Sequence, residues 1–198
     1  MGNVGIANAE VKNVFHNPAF AGLRESHQEV SYVEWLPNLT DDMGYQSILI
    51  TSDMGWSSEI FYFNYGTQVQ SDQYGVVLGD FESSSYRISG GYGFGFNDWL
   101  VGARLNLYSH NFIDDYSIDM NYGFDIGAYK EFGNTSLGLV LKDVGGETEF
   151  LSQKLNLPMS VGVGVGHKFG NFTLASDVKF YEDYNSIGLG GQYDLGIA

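Results

Sequence analysis

The stretch YRISGGYGFGFNDWLVGARLNL, residues 86–107, decides the fold class of this chain. Large apolar residues take the even positions of its first half, opposite glycine and polar residues: Tyr86, Ile88, Tyr92, Phe94 and Phe96 against Arg87, Ser89, Gly91, Gly93 and Gly95. Residues 101–107 alternate in the same way after Asn97-Asp98. Because successive side chains of a strand point to opposite faces, the stretch predicts a tight β-hairpin with one apolar and one polar face.

The same alternation recurs along the chain. It is clear in residues 120–128, 136–142, 159–168, 172–180 and 187–195, with Val140 as the one exception, and weaker in 29–36, 45–51 and 58–69. Together these segments predict about ten strands and an all-β fold. Val140 is apolar at a position where its neighbours on the same face are polar or glycine.

The predicted connections differ in length. Tight turns are expected at Asn97-Asp98, Gly133-Asn134 and Gly170-Asn171, and longer polar connections at about residues 70–84, 109–117 and 145–157. Short turns at one end and long loops at the other are typical of antiparallel, up-and-down transmembrane β-barrels of the bacterial outer membrane. In that arrangement the short turns and the N-terminus lie in the periplasm.

Composition agrees with a sheet and excludes several functions. The chain has 27 Gly, 14 Tyr and 14 Phe among 198 residues, and glycine and aromatic residues are poor helix formers. Its 9 Lys and Arg against 24 Asp and Glu give a net charge of -15, which excludes nucleic acid as a partner because phosphates require a basic surface. Cysteine is absent, so disulfides and thiolate metal ligands are excluded.

No sequence motif indicates catalysis. The four histidines are scattered without a metal-binding spacing: His16, His27, His110 and His167. No serine lies in a nucleophile motif, and the glycine runs follow the period of a strand. We therefore expect no enzymatic activity, no cofactor and no metal.

The polar face carries isolated charges among glycines, whereas the outer face of a soluble sandwich usually carries many Lys, Glu, Thr and Gln. We predict that eight charged residues face a barrel lumen and pair across strands: Arg87, Arg104, Asp125, Lys142, Lys168, Asp177, Lys179 and Asp194. Aromatic residues near the predicted strand ends resemble the two girdles of membrane barrels: Phe96, Trp99, Phe132, Phe169 and Phe172 at the short turns, and Phe112, Tyr116, Phe180, Tyr181 and Tyr184 at the long loops. A soluble β-sandwich remains the alternative.

The N-terminal segment MGNVGIANAEVKNVFHNPAFAG does not alternate, and we predict a hatch at residues 1–28 before a barrel at 29–198. Its MGxxGxA pattern, the NPA motif Asn17, Pro18 and Ala19, and EVSYVEWL at 29–36 resemble the PorV and PorQ proteins of type IX secretion, within the FadL-like barrel superfamily. The stretches 79–94, 108–132, 137–146 and 157–169 agree with this resemblance. It implies a FadL-like outer-membrane barrel with an N-terminal hatch. Since such barrels have roughly fourteen strands, the chain is expected to be either a truncated barrel or a smaller closed one.

Three functions remain open. The resemblance implies a PorV-like role in protein secretion and cell-surface attachment, with outer-membrane lipid, secretion-system proteins and secreted cargo as partners. The alternatives are FadL-like transport of small hydrophobic compounds and a soluble structural sandwich. For a barrel, we expect Leu139→Arg on the lipid face to cost about 2–4 kcal/mol, and Gly138→Ser on the lumen face to cost less.

Overall fold

A computed structural model describes residues 4–35, 42–113, 116–150 and 153–196. Ten strands form one antiparallel sheet in the order β1-β2-β3-β4-β5-β6-β7-β10-β11-β12, while β8 and β9 form a separate hairpin. The strands of the large sheet are β1 His27–Glu34, β2 Gly44–Thr51, β3 Trp56–Ser71, β4 Val77–Phe96, β5 Trp99–Ile113, β6 Tyr116–Phe132, β7 Thr135–Val144, β10 Ser160–Phe169, β11 Phe172–Phe180 and β12 Asn185–Tyr193. Strands β8 and β9 are Glu147–Phe150 and Gln153–Asn156.

The all-β prediction is confirmed, and the ten predicted segments coincide with the ten strands of the large sheet. Each strand pairs with its neighbour in sequence except at β7, which pairs with β10 because the β8–β9 hairpin lies between them in the chain. Strands β1 and β12 are the two edges of the sheet. Among the described residues no pairing joins these two edges.

The three tight turns occur where they were predicted. Asn97 and Asp98 both have positive φ, at 47° and 64°, and they join β4 to β5. Gly133 and Gly170 open the other two turns with φ of 63° and 61°. Positive φ in two-residue turns matches the right-handed twist of the strands, and Gly, Asn and Asp tolerate it best.

The prediction of long polar connections at 70–84 and 109–117 is wrong. Strands β3 and β4 continue through most of the first segment and leave only residues 72–76 as the turn, and β5 and β6 occupy most of the second. The segment at 145–157 contains the β8–β9 hairpin. Polar residues ended the apolar alternation in the sequence, but backbone pairing does not require an apolar face and continues past it.

The two faces of the large sheet differ in burial, and the face that contacts the N-terminal segment is called the inner face below. Along β6, Tyr122, Phe124 and Ile126 are about half exposed on the outer face, with exposed fractions of 50%, 47% and 52%. Asn121 and Asp125 between them are buried on the inner face. Apolar side chains therefore point outward and polar side chains inward, the reverse of a sheet that covers a water-soluble core.

Residues 4–26, the described part of the predicted hatch that precedes β1, supply most of the buried apolar core and are called the hatch below. The hatch contains two 3-10 helices, Val11–Asn13 and Pro18–Leu23, before β1 begins at His27. The buried apolar cluster consists of Val11, Val14, Ala19, Phe20, Ala21, Leu49 and Tyr129. Five of these seven belong to the hatch, so the sheet folds around this segment. In the described residues, no helix is long and apolar enough to span a membrane.

Aromatic side chains lie at both ends of the outer face. At the short-turn end, Phe96, Phe132 and Phe169 are all more than half exposed, and Lys130 Nζ lies 5.6 Å from the centre of the Trp99 ring. At the other end, called the loop end below, Phe180 and Tyr184 are exposed. Phe112 and Tyr116 were also predicted to lie at this end, and their side chains are outside the described part of the structure.

Candidate functional site

Glycines on the inner face form a groove that holds the hatch backbone. An added Cβ at Gly102 would lie 2.2 Å from Pro18 O, one at Gly127 2.0 Å from Asn17 Oδ1, and one at Gly138 2.0 Å from Ile6 O. Gly93 and Gly164 are similarly close to hatch backbone. These glycines are needed because any side chain would occupy the space of the hatch.

The NPA motif fastens the middle of the hatch. Asn17 is fully buried; its side-chain amide donates to Ile6 O at 2.9 Å and Ala128 O at 3.2 Å, and its Oδ1 accepts from Ala19 N at 3.0 Å. Pro18 begins the second 3-10 helix, where a missing N–H costs nothing. The motif thus caps a helix and joins two parts of the hatch to β6.

Asp177 on β11 fastens the start of the hatch. Its Oδ2 accepts from the backbone N–H groups of Gly5 at 2.7 Å and Ile6 at 3.1 Å, and its side chain is buried. Ile6 is therefore held on both sides, by Asp177 at its N–H and by Asn17 at its carbonyl. A carboxylate that accepts two amide protons forms charge-assisted bonds, which are about twice as strong as neutral ones.

A charge cluster lies on the inner face under residues 15–16 of the hatch. Arg104 on β5 donates to Asp125 Oδ2 on β6 through Nε at 3.2 Å and Nη2 at 3.1 Å, and both side chains are buried. Arg87 on β4 donates to both carboxylate oxygens of Glu59 at 3.0 Å. Arg104 Nη1 lies 3.7 Å from Glu59 Oε2, so Glu59 joins the two arginines into one network.

Arg104 of this network and a further cation, Lys142, also bind the hatch. Lys142 Nζ donates to Phe15 O at 2.9 Å, and Arg104 Nη2 reaches the same oxygen at 3.4 Å. The sequence pattern did not indicate Glu59, because the alternation is weak in β3. Its inward position follows from its place between Ser57 and Phe61, on the face opposite Trp56 and Ile60.

The remaining predicted charges lie elsewhere on the inner face. Lys179 on β11 is half-buried, and its Cγ lies 3.7 Å from the position that a Gly162 Cβ would take. Lys168 and Asp194 are exposed at the short-turn end, where they line a cleft with hatch residues Asn8 and Glu10. Of the eight, Arg104, Lys142 and Asp177 bond to the hatch directly, and Arg87 and Asp125 support them.

His16 lies close enough to the cations of the inner face for their charges to shift its pKa. Burial, followed by the positive charges of Lys142, Lys179 and Arg104, lowers the pKa of His16 to about 3. The imidazole is therefore neutral at physiological pH. No group of three or more metal-ligating side chains is found in the described residues.

The paired ends of β3 and β4 project beyond the rest of the sheet at the loop end and are called the arm, residues 65–82. A bulge between Asn64 and Thr67 starts the arm, and Asp42 holds its base by accepting from Thr67 N at 2.8 Å and Thr67 Oγ1 at 2.6 Å. At the tip Asp72 Oδ1 accepts from Tyr74 N and Val76 N at 2.8 and 2.9 Å. The tip is therefore a fixed turn.

The arm presents apolar side chains to its surroundings. Tyr74 is 82% exposed, and the other apolar residues of the tip are 58% to 63% exposed: Val69, Val76, Val77 and Leu78. Several large apolar side chains that are this exposed and this close in the chain are typical of an interaction site.

A second loop-end feature is a cleft between β7, β10 and the turn after β11, called the loop-end cleft. It has a volume of about 870 Å³. Apolar and aromatic residues line most of it: Leu157, Pro158, Met159, Val161, Phe180, Tyr181 and Tyr184. The other side chains in its lining are the carboxylates Asp143, Glu182 and Asp183.

Comparisons of the chain with models of protein families, with curated proteins and with solved structures found no match.

Asp177 and Lys142 are bonded to the hatch, and Arg104 is bonded to Asp125 and to the hatch. Exposed apolar side chains lie on the outer face and in the arm, and apolar and acidic side chains line the loop-end cleft.

Proposed function

We propose that the protein is an outer-membrane β-barrel protein of PorV-like type, closed by its hatch, that binds partner or cargo proteins in secretion and surface attachment. The observation that carries the membrane part is the reversed burial of the sheet. Outer-face residues such as Ile88, Ile126 and Leu189 are 51%, 52% and 80% exposed, while Asn106 and Asp125 are fully buried. An apolar outer face without a protein cover requires an apolar solvent, and lipid provides one.

Strand length supports the same proposal. Strand β4 has 20 residues, which extend over about 66 Å at 3.3 Å per residue. The hydrocarbon core of a bilayer is only about 30 Å thick. The arm therefore stands outside the membrane on the side opposite the short turns, where the apolar tip can contact another protein.

Fractionation and a heat-shift gel test the membrane part. We expect the protein in the outer-membrane fraction, with an electrophoretic mobility in detergent that changes on boiling. A soluble, monodisperse protein without detergent, with no mobility change, would contradict the proposal and leave the soluble structural alternative.

The binding role is tested at the arm. In pull-downs from native envelopes, we expect the unchanged protein to recover a secretion-system component or a secreted cargo protein. Replacing residues 71–78 by a two-residue Asn-Gly turn joins the pair Gln70 and Gly79 and should abolish the recovery. The triple variant Val76→Ser, Val77→Ser, Leu78→Ser keeps the hairpin and should give the same loss. Recovery that is absent throughout, or equal in all three proteins, contradicts the binding role.

A second candidate is FadL-like transport of small hydrophobic compounds. The apolar lining of the loop-end cleft favours it, since Leu157, Met159 and Phe180 could receive such a compound. Uptake of fatty acids and aromatic compounds in a deletion strain tests this role. Unchanged uptake would contradict it.

A further inference from the structure

The loop-end cleft has charged groups of one sign. Asp143, Glu182 and Asp183 contribute carboxylates, and none of the described residues that line the cleft is Lys, Arg or His. An anionic guest such as a fatty acid would meet repulsion there, whereas a cation would be attracted.

The acidic floor of the cleft is held in place. Asp143 has a φ of 55° at the end of β7, its N–H donates to Asp125 Oδ1 at 2.9 Å, and its carboxylate accepts from the Tyr108 hydroxyl. Gly145 and Gly146 follow with φ of 90° and 77°, which fixes the turn that forms one wall. The carboxylate of Asp143 is thus positioned by the protein before any guest arrives.

Two stacked tyrosines form the opposite wall. The rings of Tyr181 and Tyr184 lie 4.4 Å apart at an interplanar angle of 14°, and Tyr181 N donates to Tyr184 O at 2.9 Å. Burial raises the pKa of Tyr181, and Tyr184 and Asp143 raise it further, so the phenol stays neutral. Neutral aromatic faces beside carboxylates attract guanidinium and ammonium groups, and they also cover aliphatic carbons.

We propose that the loop-end cleft binds a basic, partly apolar peptide segment of a partner protein. A Lys or Arg side chain lies against Tyr184 and between the carboxylates of Glu182 and Asp183, and an adjacent aliphatic side chain contacts Leu157 and Met159. This proposal rests on the proposed binding role and names the chemistry of the bound segment. Charge complementarity selects this occupant, because an acidic or purely apolar segment leaves three carboxylates without a counter-charge.

The test measures fluorescence anisotropy with the full chain in detergent. The probe is a labelled five-residue peptide in which one lysine and one arginine alternate with three leucines, and glutamate replaces both cations in the reference peptide. We expect the basic peptide to bind more tightly, by about tenfold, with a difference that shrinks at high salt.

A pair of double variants locates the binding. Glu182→Gln with Asp183→Asn removes two charges in the cleft, whereas Asp53→Asn with Asp98→Asn removes two exposed charges at the short-turn end. The first should weaken binding of the basic peptide about tenfold, and the second should leave it unchanged. Tyr184→Ala should also weaken it.

Equal binding of the two peptides would overturn the proposal, since charge would then not select the occupant. Equal loss in the two double variants would also overturn it, since attraction to the net charge of -15 would then explain the binding. If the protein is recovered in the outer membrane but does not discriminate between the peptides, only the proposal of a peptide-binding cleft is overturned. Discrimination by a protein found in the soluble fraction supports the cleft and overturns the membrane role.

Discussion

At the scale of single residues, several positions of the inner face require glycine because the hatch lies too close for a side chain. Gly127 contacts Asn17, and an added Cβ would meet its Oδ1 at 2.0 Å. Gly90, on the outer face of β4, has nothing within 4 Å of the same position. Replacing either glycine by alanine makes the unfolded chain less flexible, but only the change at Gly127 also creates a clash with the hatch. A comparison of the two variants therefore isolates the effect of the clash.

Gly127→Ala should destabilise the protein by about 1–3 kcal/mol and loosen the hatch, because the added methyl group would displace the buried, hydrogen-bonded side chain of Asn17. Gly90→Ala should be neutral or slightly stabilising. Urea unfolding in detergent measures the change in stability of each variant, and limited proteolysis at Lys12 measures whether the hatch is loosened. Equal stability and equal cleavage in the two variants would show that the hatch does not occupy this groove.

The neutral His16 predicts a dependence on pH. Its pKa of about 3 in the folded protein lies below the ordinary value of 6.5, so the unfolded chain binds more protons between these values. The free energy of unfolding should therefore fall as pH decreases below 6.5, by up to about 1.4 kcal/mol per pH unit. Urea unfolding between pH 5 and 7 checks this slope, which His16→Gln should reduce. His27→Gln, at a partly buried position in β1 outside the charge cluster, should keep it.

The sequence predicted part of this chemistry. Asn17, Pro18 and Ala19 were found because the motif is local, and Asp177 was found because most of its strand alternates. Glu59 and His16 were not assigned a role, since their importance arises from strand register and from the path of the hatch across distant strands. Neither property is encoded within one segment of the chain.

At the scale of the strands, the two faces of β7 give the sharpest contrast. The sequence alone suggests that Gly138→Ser costs less than Leu139→Arg, but the structure predicts a substantial cost, because an added Cβ would lie 2.0 Å from Ile6 O. Val140, the one exception to the alternation, is buried on the inner face beside Gly162, where Ile6 also packs. The polar face is therefore interrupted by an apolar residue where the hatch is apolar.

Leu139 on the outer face of β7 tests the lipid contact. Leu139→Arg should cost about 2–4 kcal/mol near the bilayer centre, whereas Leu78→Arg in the arm should change stability by less than about 1 kcal/mol. Both leucines are exposed, at 41% and 62%, so exposure alone does not distinguish them. Unfolding of the bilayer-inserted protein measures both, and equal costs would contradict the membrane orientation.

Strand existence was predictable and strand extent was not. Alternation marks only the part of β4 with an apolar face, from Tyr86 to Phe96, while pairing with β3 begins at Val77. The arm was consequently predicted as a loop. Its fixed tip depends on Asp72 and on a bulge, which single-segment periodicity does not report.

At the scale of the whole molecule, closure of the sheet predicts a pairing of β1 with β12. Cysteine pairs that combine Gln28, Val30 or Tyr32 with Ile187 or Leu189 should include at least one that forms a disulfide within a monomer, since paired strands bring Cα atoms within about 4.4–6.8 Å. Non-reducing gels of the folded protein in detergent would show it. Failure of every pair, or dimers alone, would mean that these edges do not meet in one chain.

The hatch joins the two ends of the described chain, and this has a consequence for the time course of folding. Val4 lies against Gly188, and Gln192 Nε2 donates to Glu10 Oε1 at 2.9 Å across 182 positions of sequence. Contacts between distant residues form slowly because a long loop must close first. The contacts of Val4 and Glu10 with β12 should therefore be among the last to form during folding.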